Sequence, residues 1–103
     1  MSRLEHYRTW LEGRPTDRMA LYGVAFELKK AGRVDEAREA FEALLALHPD
    51  SGAGWFQYGQ LLEEDGDEDG AVAVWRRGLE ALGDDPAGER SRGEISAALA
   101  ALE

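Results

Sequence analysis

Residues 51–83 read SGAGWFQYGQLLEEDGDEDGAVAVWRRGLEALG, and the spacing of their apolar and glycine positions decides the fold. Trp55, Tyr58, Gly59 and Leu62 fall at i, i+3, i+4 and i+7, the spacing of one buried helical stripe. Gly66 then supplies the left-handed backbone of a helix C-cap. Ala71, Val74, Trp75, Gly78 and Leu79 form a second stripe that stops at Gly83. Asp50 or Ser51 can cap the first of these two helices.

The same plan stands 34 residues earlier: Leu28 aligns with Leu62, Gly32 with Gly66, Ala37 with Ala71, Leu45 with Leu79 and Asp50 with Asp84. Leu21, Val24, Ala25 and Leu28 predict a helix ended by Gly32, and Val34, Ala37, Phe41, Leu44 and Leu45 predict its partner, stopped before Pro49. The register reaches the N-terminus as well, since Tyr7, Phe41 and Trp75 share it, as do Leu11, Leu45 and Leu79. Ser2-Arg3-Leu4-Glu5 is a capping box that starts a helix running to about Gly13. After Gly83, either Asp85-Pro86 or Ser91-Arg92-Gly93-Glu94 can open a last helix with Ile95, Ala98, Leu99 and Leu102 as its stripe, and Gly88 and Gly93 favour the later start. No strand pattern of useful length is present, so the expectation is an all-α chain. Its parts are a half repeat over 2–15, repeats over 17–50 and 51–83, and a closing helix over about 91–103.

Composition narrows the function. The chain has 103 residues, one domain by length, with 12 Lys+Arg against 21 Asp+Glu and a formal charge of −9. That charge disfavours nucleic acid and anionic membranes as partners and favours basic ones. The absence of cysteine excludes disulfides and thiol chemistry. No apolar run reaches the ~20 residues of a membrane span and the first residues lack a signal-peptide core, so a cytoplasmic location is expected.

Candidate chemistry is sparse. Asp65-Gly66-Asp67-Glu68-Asp69-Gly70 matches the opening of a calcium loop, but Arg76 stands where the closing bidentate Glu belongs and Ala73 at the ninth position. A solvated acidic turn is the expectation there, and calcium or metal binding is its weaker alternative. His6 and His48 are isolated, and no nucleophile elbow, phosphate loop or dinucleotide motif is visible. No enzyme activity, catalytic residue, metal or cofactor is therefore expected.

The repeat resembles the tetratricopeptide repeat, whose first helix carries Trp, Leu, Gly and Tyr and whose second carries Ala, Phe and Ala, followed by Pro. Trp55, Tyr58, Gly59 and Leu62, then Ala71, Trp75 and Gly78, occupy those positions in the second unit. Leu21, Val24, Ala25 and Leu28, then Ala37, Phe41, Leu44 and Pro49, do so more loosely in the first. The likeness covers about residues 3–83 and implies a right-handed solenoid of antiparallel helix pairs. It implies too that the first helix of each pair lines a concave groove, here through Met19, Tyr22, Phe26, Lys29 and Lys30, and through Ala53, Phe56, Gln60, Glu63 and Glu64. Lys29 and Lys30 share register positions with Glu63 and Glu64 and are expected to form ion pairs with them. Chaperone-binding members of the family clamp a carboxylate with Lys and Asn, but Tyr22, Phe26 and Gln57 stand at those positions, so that activity is not inherited. The resemblance implies a protein-interaction scaffold that holds a peptide or helix of another protein against Met19, Tyr22, Phe26, Phe56, Gln57 and Gln60, and the net charge favours a basic one. The alternative is a self-associating module, a homo-oligomer formed through the groove or an end face.

Overall fold

Helix boundaries follow the capping residues. A computed structural model describes all residues, Met1–Glu103, and contains helices without a strand. These are α1 (Arg3–Gly13), α2 (Arg18–Lys30), α3 (Val34–Leu47), α4 (Gly52–Glu64), α5 (Glu68–Leu82) and α6 (Glu89–Leu102), with a short 3-10 turn over Pro86–Gly88. Ser2 caps α1 by accepting from the Glu5 amide at 3.2 Å, and its hydroxyl donates to Glu5 Oε1 at 3.3 Å. Asp17, Ser51 and Asp67 cap α2, α4 and α5 in the same way, each accepting from the amide three residues on. Such a side chain satisfies one of the amides a helix start leaves without a partner, worth about 1 kcal/mol.

Two turns close by one device. Gly32 and Gly66 take φ of 75° and 85°, and the residue after each donates back across the turn, Arg33 to Leu28 and Asp67 to Leu62. That bonding satisfies last-turn carbonyls and reverses the chain within three residues.

The chain divides into two compact units, Met1–His48 and Pro49–Glu103. In the first, α2 packs against α3 and α1 lies on α2. Ala20, Leu21, Val24, Ala25, Leu28, Ala37, Phe41, Leu44 and Leu45 are its buried apolar residues. His48 is half-buried: its Nε2 donates to the Thr16 carbonyl at 2.7 Å and ties the end of α3 to the α1–α2 connection.

In the second unit α4 packs against α5, and α6 lies on both. Two tryptophans set the α4–α5 crossing, each lying on a glycine of the other helix. Trp75 sits on Gly59, where an added Cβ would fall inside the indole. Trp55 sits on Gly78, where a Cβ would meet the Trp55 Cβ at 2.8 Å. Both indoles donate to carbonyls, Trp55 to Pro49 at 2.8 Å and Trp75 to Phe56 at 3.2 Å, so neither buried N–H is orphaned.

The last helix starts at Glu89, two residues before the expected start at Ser91. Asp85 and Pro86 open a 3-10 turn in which the Asp85 carboxylate accepts from the Ala87 amide at 3.0 Å, and this turn leads directly into α6. Ser91 does not cap; its side chain lies against Gly52 of α4. Gly93 is accommodated inside the helix because Ile95 and Leu99 bury there. No helix is long and apolar enough to cross a membrane.

Candidate functional site

The residues proposed to line a groove lie on α2 and α4. On α2 the core stripe faces inward, and Met19, Tyr22 and Phe26 occupy another face. Met19 is 62% exposed, while Tyr22 and Phe26 are half-buried. The Tyr22 and Phe26 rings are stacked, with centroids 5.8 Å apart and planes 13° from parallel. Lys30 extends the row, its Nζ 5.6 Å from the Phe26 ring centroid and 3.6 Å from a Glu27 carboxylate oxygen. The ammonium over the ring and the carboxylate beside it hold that aromatic edge in place.

On α4, Phe56, Gln57 and Gln60 are half-buried, and Ala53 is exposed. Phe56 stacks on Trp75 of α5, with centroids 6.5 Å apart and planes at 21°. Because Trp75 is fully buried and its indole is held by the Phe56 carbonyl, it gives Phe56 a rigid floor.

The fold also leaves an aromatic pair outside this set. Tyr7 shares the register of the fully buried Phe41 and Trp75, yet Tyr7 and Trp10 are half-buried and stacked 6.2 Å apart on α1. The register assigns Tyr7 a core position and so gives no sign of its exposure. Packing does: Tyr7 lies against Gly23 of α2, and α1 contains no buried residue.

Burial pushes the Tyr22 phenol above its ordinary value of 10.0. The folded chain thus holds this proton more tightly than the unfolded chain. Its contribution to stability is complete below pH 10.0 and is lost as pH rises through the raised value. In urea titrations at increasing alkaline pH, the unfolding midpoint of Tyr22→Phe should fall less than that of the unaltered chain. Equal falls would mean that the phenolate is solvated in the folded state.

The acidic turn is organised around a helix start. Asp67 accepts from the Gly70 amide at 2.9 Å, and α5 begins at Glu68, so the residues that would continue a calcium loop are helical. No three His, Asp or Glu side chains converge where they could hold a metal ion. Calorimetry with millimolar calcium should give no saturable heat, and a stoichiometric transition at micromolar calcium would overturn this.

Helix pairs joined by glycine turns, with small residues at the crossings and aromatics against them, now stand beside a family comparison. The model of the tetratricopeptide repeat family matches residues 27–86, more than half of the chain. The chain belongs to the tetratricopeptide repeat family. The matched span of this tetratricopeptide repeat protein runs from the last turn of α2 through α3, α4 and α5. No curated protein matches the chain.

Proposed function

We propose that this tetratricopeptide repeat protein is a non-catalytic scaffold that binds a peptide or helix of another protein. Met19, Tyr22 and Phe26 on α2 and Phe56, Gln57 and Gln60 on α4 would supply the contacts. The observation that carries this reading is the stacked Tyr22–Phe26 pair, half open to solvent on a helix whose other face already fills the core. Ring pairs held in one orientation lose little rotamer entropy on binding, and partly open aromatics are where interface energy concentrates.

A photo-crosslinking residue at Met19 tests the proposal, with the same residue at the exposed Ala46 of α3 as control. In native cytosol, Met19 should yield a cross-link to a different polypeptide and Ala46 should not. A product of twice the chain's own mass from Met19 would transfer the site to the self-association alternative. Cross-linking from Ala46 alone would place partner binding on α3.

A further inference from the structure

We propose that the outer face of α1 receives the exposed face of α6 from a second copy of the chain. The contact runs head to tail, from the first unit of one copy to the second unit of the next.

The α1 face is open where its equivalents are closed. Tyr7 holds the register position of Phe41 and Trp75, and both of those rings are fully buried, whereas Tyr7 is half-buried. Helix α1 packs on α2 through Tyr7 against Gly23, and Arg8 reaches Glu36 of α3 at 3.5 Å, yet no residue of α1 is buried. Trp10 stacks on Tyr7, His6 meets both rings edge-on, and the Arg14 guanidinium stands 5.9 Å from the Trp10 ring centroid. These contacts orient the rings without covering them.

That face is also cationic. Arg3, His6, Tyr7, Trp10 and Arg14 fall within about 100° of arc on α1, and the acids of the helix, Glu5 and Glu12, fall on the other side. Arg8 has its carboxylate partner in Glu36, but Arg3 and Arg14 form no ion pair in a chain that contains 21 Asp+Glu. Aromatic rings between two such arginines are complemented by small residues between carboxylates.

Helix α6 presents that combination. Ile95 and Leu99 turn inward, and Gly93, Ala97, Ala100 and Ala101 are exposed on the opposite side. Large rings in this fold are seated on glycine, Trp75 on Gly59, Trp55 on Gly78 and Tyr7 itself on Gly23, so a row of small residues is the seat that the open sides of Tyr7 and Trp10 lack. Glu89 and Glu103 bracket the row, about 21 Å apart along the axis, against about 16 Å between Arg3 and Arg14. Long side chains span that difference. Glu103 pairs with Arg76 at 3.0 Å, and its carboxylate has acceptor sites for a second guanidinium. The arginines of α6 are engaged elsewhere, Arg90 with Glu94 at 3.6 Å and Arg92 with the Asp85 carbonyl at 2.6 Å.

Charge selects head-to-tail over symmetric pairing. Residues 1–48 carry eight Lys+Arg and eight Asp+Glu, whereas residues 49–103 carry four Arg and 13 Asp+Glu, so the whole excess of −9 belongs to the second unit. Two second units repel each other, and two α1 faces would oppose the same arginines. A first unit meets a second without that repulsion.

Sedimentation equilibrium of the chain over about 0.01–1 mM tests the contact. The weight-average mass should rise with concentration, and rise less in about 0.5 M sodium chloride, which screens the ion pairs. Arg3→Glu with Arg14→Glu removes the head and Ala97→Arg removes the tail, all at exposed positions. Each variant alone should sediment as a monomer. Their equimolar mixture should form a one-to-one dimer that grows no further, because one intact head still meets one intact tail, and this dimer shows that both variants are folded. An unaltered chain that stays monomeric throughout would overturn the inference, as would assembly that survives in either variant alone. So would a mixture that stays monomeric although both variants melt cooperatively.

Discussion

Replacing Gly59 by alanine is expected to lower the melting temperature by about 10–20 °C, although alanine is the better helix former. The new Cβ would occupy space held by the Trp75 indole, a fully buried ring whose N–H is bonded to the Phe56 carbonyl. Overpacking a close-packed site costs about 1–3 kcal/mol and sometimes more, and displacing the ring also breaks a buried hydrogen bond worth about 1 kcal/mol. The gain in helix propensity, about 1 kcal/mol, offsets only part of this. Gly93 provides the contrast. It also lies inside a helix, but its Cβ would meet nothing within 4 Å, so Gly93→Ala should stabilise by about 0.5–1 kcal/mol. Thermal melts of both variants, followed by circular dichroism, should shift in opposite directions. Shifts of the same sign would contradict the described α4–α5 crossing.

The glycines also show how far the sequence could be read. A register of 34 residues was enough to place Gly32 and Gly66 at turns, because a helix end of this kind needs a positive φ whatever surrounds it. The reciprocal seating of Trp55 on Gly78 and Trp75 on Gly59 was not legible. In the first repeat the corresponding residues are Leu21 with Leu44 and Phe41 with Ala25, so the register alone contains no Trp–Gly pattern. The start of α6 was displaced because Ser91 resembles a cap in sequence, whereas its side chain packs against Gly52 through a contact far apart in the chain.

Site residues were less legible than core residues. Periodicity gave only the core stripe of α2; the family resemblance set Met19, Tyr22 and Phe26 apart from it, and both rings are half-buried. Neither could show that Phe56 rests on Trp75, or that Lys30 stands over Phe26 beside Glu27, since those depend on rotamers and on packing between helices. Net charge was legible as a total, while its concentration in the second unit depended on where the chain divides.

The Tyr22→Ala, Phe26→Ala double variant tests the account's central claim most directly, that an open aromatic face of α2 holds a partner. Truncating one interfacial hot-spot ring costs about 2 kcal/mol or more, roughly 30-fold in affinity, and losing the stacked pair should cost more than about 100-fold. Stability should respond far less, because both rings are only half-buried, whereas Phe41→Ala at a fully buried position should cost about 3–5 kcal/mol. The measurement is capture of the partner from native cytosol by the immobilised double variant, beside the unaltered chain and with a thermal melt of each. The expected result is a variant that keeps its helical signal and a cooperative melt yet no longer retains the polypeptide held by the unaltered chain. A folded variant that still retains it would contradict the claim, as would one that unfolds as readily as Phe41→Ala.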